Sequence, residues 1–320
     1  MRIVVAGAGA FGTAMAIALA NGGADVTLLG RDAGMMARAD RTRTLPRPEG
    51  CILPPGLNLS SNPAAMRDAG IVLLCVPAQA LAGFLAEHRA DLSDAALVAC
   101  CKGIDLATLT GPTGVIASVI GGQDPSILTG PSFAADIARG LPTALTLACA
   151  DAGLGTRLQD ALSTPTLRLY RSEDPLGAEL GGALKNVVAI ACGVCIGAGL
   201  GDSARAALMT RGFAEMQRLS HALGARPETL AGLSGLGDLA LTCTSDLSRN
   251  YRYGLAMAQG RRPEDRTTVE GRHTARAVTG LARKLGIDLP VMAAVDALVD
   301  GRITVGTAMD QLLARPLRAE

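Results

Sequence analysis

Residues 2–20 constrain this chain more than any other stretch. A short apolar run, Arg2-Ile3-Val4-Val5-Ala6, leads into Gly7-Ala8-Gly9-Ala10-Phe11-Gly12, and then into Thr13-Ala14-Met15-Ala16-Ile17-Ala18-Leu19-Ala20. The order is strand, G-x-G-x-x-G turn, helix of small residues. Gly7 permits the tight turn, Gly9 lets backbone approach a pyrophosphate, and Gly12 lets the helix pack on the strand. The N–H groups that open the helix then face the phosphates. The context predicts a dinucleotide-binding α/β domain at the N-terminus.

The following segments support that class. Asp25–Leu29 reads as the second strand and ends in Gly30-Arg31-Asp32. An acid at that place holds the ribose hydroxyls of NAD, whereas an arginine accepts the 2′-phosphate of NADP. Arg31 suits NADP and Asp32 keeps NAD open. Residues 41–60 contain four prolines and read as loop. Further strands are expected at 71–76, 97–101, 126–129, 143–149 and 166–170, with a helix near 78–88. Alternating strands and helices imply a mostly parallel, doubly wound (Rossmann-like) sheet. Ligands bind beyond the carboxyl ends of its strands, where Lys102-Gly103 and Gly130-Pro131-Ser132-Phe133-Ala134 fall.

After Asp174-Pro175 the strand runs stop. Helices are expected at about 176–198, 203–223, 248–258, 272–285, 290–300 and 304–314, with a Gly-rich bend at 232–239 carrying Asp238. The expected organisation is therefore residues 1–174 as the Rossmann-like domain and 175–320 as an all-helical substrate and catalytic domain.

Composition narrows the function. The chain has 320 residues and a net charge of +1, with 2% aromatic residues and no Trp. Neither a basic footprint nor stacking platforms for nucleic acid are present. No h-region or cleavage site precedes the first strand, and no apolar run reaches the ~18–20 residues of a membrane span; the longest candidate, 187–201, carries four glycines. A cytoplasmic protein with no membrane span is expected. Eight cysteines lie mostly inside apolar runs, where cysteine packs as a small hydrophobe. Cys192 and Cys195 form a C-x-x-C without the second pair that a zinc site needs. His88, His221 and His273 show no ligand spacing, so no metal is expected.

Two residues stand out chemically. Lysine occurs only at 102, 185 and 284, against 27 arginines. Lys185 lies in Gly177–Ala191, among apolar and small residues. An amine can give up a proton when desolvated and a guanidinium cannot, so Lys185 is a candidate acid/base; the competing reading is a lysine that snorkels from a half-buried helix. Ser248-Arg249-Asn250 reads as an N-cap followed by an arginine in a first helical turn. That is unfavourable unless an anion sits there; the alternative is a capped helix with a solvated arginine.

Together these stretches resemble the bacterial-type NAD(P)-dependent glycerol-3-phosphate dehydrogenases over essentially the whole chain. The matching segments are Gly7–Gly12, Val76-Pro77, Lys102-Gly103, Gly130–Ala134, Glu179–Asn186, Gly199–Asp202, Gly232–Asp238, Leu241–Ser245 with Ser248-Arg249-Asn250, and Glu270-Gly271. The resemblance implies reduction of dihydroxyacetone phosphate to sn-glycerol 3-phosphate with NADP or NAD, supplying phospholipid synthesis. It implies that Lys185 transfers the proton. It implies that Lys102, Gly130, Ser132, Lys185, Asp238, Ser248, Arg249 and Asn250 hold the substrate. The dinucleotide would lie against Gly7, Gly9, Ala10, Phe11, Gly12, Arg31, Lys102, Ala134, Arg249 and Glu270. A homodimer is left open. The chain departs from the family at Phe11, usually Trp, at Ser203, usually Asn, and at Arg41–Pro46, usually Asn-x-x-Tyr-Leu-Pro. Two other readings compete: another β-hydroxyacid-type dehydrogenase, which would lack Ser248-Arg249-Asn250, and a regulatory NADPH sensor without chemistry, which would have no use for Lys102 and Lys185.

Overall fold

The structure, a computed structural model, describes residues 1–92, 94–122, 124–261 and 269–313. By internal packing the chain forms two compact units, Met1–Lys102 with Thr110–Glu179, and Gly103–Leu109 with Leu180–Glu320.

The first unit is built on β1 (Ile3–Ala6), α1 (Ala10–Asn21), β2 (Val26–Leu29), α2 (Ala33–Thr42), β3 (Asn58–Ser60), β4 (Ile71–Leu74), α3 (Leu81–Glu87), β5 (Ala96–Ala99), α4 (Pro112–Val119), β6 (Ser126–Thr129), α5 (Ala134–Ala138), β7 (Thr143–Ala148), α6 (Ala152–Leu162) and β8 (Leu167–Ser172). The strands lie in the order β3-β2-β1-β4-β5-β6-β7-β8. All pairs are parallel except β6–β7. The sheet is therefore mostly parallel and doubly wound, as expected, and the antiparallel β6–β7 pair makes it mixed. Residues alternate across it with period two. Ile3 and Val5 enter one core with α1, α2 and α6, while Val4 and Ala6 enter the other with α3 and α4. Burial on both faces accounts for the continuous apolar runs that announce a parallel sheet. The order turns back on itself between β1 and β4, and the Gly7–Gly12 turn leaves β1 at that point.

Two elements of this unit differ from the sequence reading. Residues 41–60 are not all loop: α2 reaches Thr42, and β3 is a three-residue strand that pairs with β2 at the sheet edge. In the segment that departs from the family, Arg43 adopts a left-handed backbone (φ 52°) and ends α2. Its guanidinium donates to the carbonyls of Pro54 and, at 2.8 Å, Leu57, so one arginine ties the loop together.

The helical elements that follow are α7 (Pro175–Gly197), α8 (Gly201–Ala222), α9 (Pro227–Ala231), a π-type turn at Leu233–Gly237, α10 (Asp238–Cys243), α11 (Arg249–Ala258), α12 (Glu270–Leu285), α13 (Pro290–Val299) and α14 (Val305–Leu313). Residue 314, the last of the expected final helix, lies outside the described residues. The region read as a bend at 232–239 is a π-type turn that feeds directly into α10.

α7 begins in the first unit and continues in the second after Glu179. Every residue from 177 to 195 is buried. The expectation that no segment matches a membrane span needs correction: by length and apolar composition α7 does, although 89% of its apolar window is buried inside the fold. Glycine in a helix interior costs about 1 kcal/mol relative to Ala, and α7 carries several. Packing offsets that cost. A Cβ at Gly193 would lie 2.0 Å from the Tyr251 carbonyl, and one at Gly254 would lie 2.1 Å from that of Ile190. α7 and α11 thus meet backbone to backbone.

Candidate active site

Within the second unit, Lys185 projects from α7 into a polar cluster. Its Nζ donates to Asp238 Oδ1 at 2.8 Å and to Thr242 Oγ1 at 2.7 Å. Thr242 donates in turn to Asp238 Oδ1 at 3.2 Å. Lys185 is 7% exposed, Asp238 0% and Thr242 3%, so Lys185 does not snorkel to solvent. A lysine this deep is stable as an ammonium only beside an anion, and removing either partner leaves an uncompensated buried charge. Asp238 and Thr242 fix two of the three directions in which the ammonium donates.

A second junction lies beside the first. Asn250 Nδ2 donates to Asn186 Oδ1 at 2.8 Å, and Asn250 Oδ1 accepts from Gly271 N at 3.0 Å. The residue after Lys185 is thereby tied to the residues that follow Arg249 and Glu270. Ser248 caps α11 as its sequence position indicates, with Oγ accepting from Tyr251 N at 3.2 Å. Arg249 stands exposed in the first turn of α11, at the helix end that attracts anions. Glu270 opens α12.

The first unit gathers the other site residues into two groups. Lys102 Nζ donates to the Gly130 carbonyl at 3.1 Å, and Ser132 Oγ donates to the same oxygen at 3.3 Å. Lys102, Gly130 and Ser132 thus converge beyond β5 and β6. The remaining group surrounds the glycine turn. Gly7 has φ 122°, and a Cβ there would meet the Cys75 carbonyl at 2.6 Å. A Cβ at Gly12 would meet the Gly7 carbonyl at 2.0 Å, whereas Gly9 has nothing within 4 Å. Gly9 is also the N-cap of α1 and supplies no side-chain hydrogen bond to its opening N–H groups. A tight floor, an open upper face and uncapped N–H groups fit a dinucleotide pyrophosphate. Ala10 and Phe11 form the first turn of α1, and Ala134 opens α5; Phe11 and Ala134 pack on the same core. Arg31 is exposed at the end of β2, while Asp32 accepts from Met35 N at 2.9 Å as the N-cap of α2.

Sequence reasoning missed three polar residues. Thr242 stands four residues after Asp238, the spacing that places two side chains on one helix face; reading 232–239 as a bend hid it. Asn186 is adjacent to Lys185 but its partner is 64 residues away. Glu179 is buried, and its Oε2 accepts from Thr113 N at 3.0 Å and Thr113 Oγ1 at 2.6 Å at the start of α4. A Cβ at Gly111 would strike this carboxylate. Burial raises the Glu179 pKa to about 7, helped by Asp174 and opposed by the Thr113 hydrogen bonds.

The chain is similar to known proteins along nearly its whole length. The N-terminal model of NAD-dependent glycerol-3-phosphate dehydrogenase matches residues 2–154, and its C-terminal model matches residues 174–310. A glycerol-3-phosphate dehydrogenase [NAD(P)+] of Paracoccus denitrificans is 59% identical over 320 residues, covering 100% of both chains. That of Cereibacter sphaeroides is 59% identical over 318 residues, covering 99% of this chain and 100% of its own. The crystal structure of glycerol-3-phosphate dehydrogenase from Coxiella burnetii superposes with a TM-score of 0.93 at 32% identity, covering 98% of this chain and 99% of its own. The chain belongs to the NAD-dependent glycerol-3-phosphate dehydrogenase family and is an NAD(P)-dependent oxidoreductase.

Proposed function

We propose that Lys185 is the general acid and base in the interconversion of dihydroxyacetone phosphate and sn-glycerol 3-phosphate. The carrying observation is its buried amine, held by Asp238 and Thr242. The nicotinamide, when bound, supplies or accepts the hydride at the carbon that bears the reacting oxygen. Lys185 gives its proton to that oxygen as the ketone is reduced, and neutral Lys185 takes it back in the reverse direction. Asp238 stabilises the ammonium and aims it.

Arg249 and the opening N–H groups of α11 hold the substrate phosphate, which fixes the position of the reacting carbon. Lys102, Gly130 and Ser132 contribute the remaining contacts. Ser248 still has a hydroxyl hydrogen to donate while its oxygen caps the helix, and Asn250 has a second amide hydrogen to donate. Gly7, Gly9, Ala10, Phe11 and Gly12 cradle the dinucleotide. Arg31, exposed at the end of β2, recognises its 2′-phosphate. Lys102, Ala134, Arg249 and Glu270 complete that site. The reading extends to residues 1–174 and 175–320 as functional domains, and to a cytoplasmic enzyme that supplies phospholipid synthesis.

The test replaces Lys185 by Arg and by Met and follows NADPH oxidation with dihydroxyacetone phosphate. Acid–base catalysis contributes about 10²–10⁴-fold, so kcat falls by at least that order in both variants while NADPH affinity changes little. If Lys185→Arg retains more than about a tenth of kcat, small beside that range, the residue is only a fixed charge.

A further inference from the structure

We propose that Cys75 and Cys100 are a peroxide-sensitive thiol pair whose oxidation to a disulfide weakens dinucleotide binding. The placement of the two residues carries the argument. β4 and β5 are parallel with Leu74 opposite Ala99, so Cys75 and Cys100 stand opposite one another just past the strand ends. Their backbones continue the ladder: Cys75 N donates to Ala6 O at 2.8 Å and Cys100 N to Leu74 O at 3.0 Å. Neighbouring strands run about 4.8 Å apart, within the roughly 4.4–6.8 Å between Cα atoms that a disulfide bridges. Both side chains face the same core, under α1, while Cys101 faces the opposite core. The Cys100 thiol donates to the Val98 carbonyl at 3.7 Å.

The two thiols divide the chemistry between them. Cys75 is half-buried and open to a small oxidant, and Cys100 is buried. The neighbouring Cys75 side chain and burial push the Cys100 thiol well up from its ordinary value; Cys101 acts the same way and Lys102 opposes them. Cys100 is therefore the resolving thiol. In the first step the Cys75 sulfur attacks hydrogen peroxide: an S–O bond forms, the O–O bond breaks and water leaves. In the second, the Cys100 sulfur attacks the Cys75 sulfenic acid: the S–S bond forms, the S–O bond breaks and the departing hydroxide leaves as water with the Cys100 proton. Two thiols lose two electrons and two protons, and one peroxide becomes two waters. Where cytosolic disulfides occur they are usually transient and redox-sensing.

The coupling to dinucleotide binding rests on reading the Gly7–Gly12 turn as the dinucleotide site. Cys75 is the floor of that turn. Its carbonyl lies 2.6 Å from where a Gly7 Cβ would be, and its own Cβ lies 3.0 Å from where a Gly12 Cβ would be. With so little clearance, drawing Cys75 toward β5 moves the surface on which the turn rests.

The experiment treats the reduced full chain with hydrogen peroxide, digests it with trypsin without reductant, and measures NADPH affinity in parallel. Cys75 falls in peptide 68–89 and Cys100 in peptide 90–102. The expected product is these two peptides linked, formed in Cys101→Ala, absent from Cys100→Ala and released by dithiothreitol. NADPH dissociation constants should rise about tenfold or more on oxidation, a change of about 1.4 kcal/mol, and return on reduction. Absence of the linked peptide while other thiols oxidise overturns the proposal. So does a linked peptide with unchanged NADPH affinity, provided Gly9→Val, which adds bulk where space is open, abolishes NADPH binding in the reduced chain. If Gly9→Val binds NADPH normally, the reading of the turn fails, and the predicted coupling fails with it.

Discussion

The glycine turn of the first unit and the α7–α11 seam of the second use the same residue to opposite ends. At the turn, Gly9 faces open space, and the absent side chain leaves room for a ligand. At the seam, Gly193 and Gly254 face carbonyls at 2.0 and 2.1 Å from where a Cβ would be, and the absent side chain leaves room for protein. The first unit presents backbone outward. The second brings backbones together so that Lys185, Asn186 and Asn250 take fixed positions. A binding surface made of backbone tolerates neighbours that vary; a cluster of buried side chains depends on each partner.

The contrast can be broken most forcefully at Arg249. Arg249→Ala should lose roughly 2–5 kcal/mol of kcat/KM for dihydroxyacetone phosphate, by analogy with truncating one partner of a charge pair, with little effect on melting temperature because the side chain is exposed. Near-parental kcat/KM would move the phosphate site elsewhere. Next comes the glycine comparison itself. Overpacking costs about 1–3 kcal/mol and more against rigid backbone, so Gly254→Ala should lower unfolding stability by about 3 kcal/mol. Gly9→Ala should leave stability within about 0.5 kcal/mol, as at open surface sites, and raise KM for NADPH. Equal melting temperatures for the two variants would erase the distinction.

Glu179 sharpens the comparison through pH. Its folded pKa of about 7 stands above the ordinary 4.5, so the folded chain binds the extra proton between those values. The stability this contributes is fully present below pH 4.5 and is lost as pH rises through 7. Glu179→Gln keeps an acceptor for Thr113 without a charge to bury. Its stability relative to the parent should therefore rise between about pH 4.5 and 7 and then level off, by at most about 3 kcal/mol. Chemical denaturation of both proteins at several pH values checks this, and a flat difference would remove Glu179 as a titrating group.

The smallest effect is expected at Arg31. Arg31→Ala should raise KM for NADPH about tenfold, near 1.4 kcal/mol, and KM for NADH much less. Equal effects on both dinucleotides would detach Arg31 from the 2′-phosphate.

What could be read from the sequence follows the same division. β1, the glycine turn and α1 are contiguous, so local pattern sufficed. Burial on both faces made most of the other strands of the first unit visible as apolar runs. β3 escaped because it has three residues at the sheet edge and follows a proline-rich loop. In the second unit the scarcity of lysine and the N-cap at Ser248 were local signals. The partners of Lys185 were not: Asp238 and Thr242 lie 53 and 57 residues away, on a helix hidden behind a glycine-rich turn. Only packing of α7 against its neighbours joins them.

The central claim is that Lys185 acts through a transferable proton and not merely a charge. The direct measurement starts from Lys185→Cys in a chain whose eight native cysteines are replaced, and compares kcat after aminoethylation with kcat after methylation of the thiol. The aminoethyl group restores an amine close to the original position, and the methyl group restores only bulk. The account predicts that aminoethylation recovers a substantial part of the rate and methylation none. Equal rates from the two products, or a Lys185→Arg variant as fast as the aminoethylated one, would contradict it.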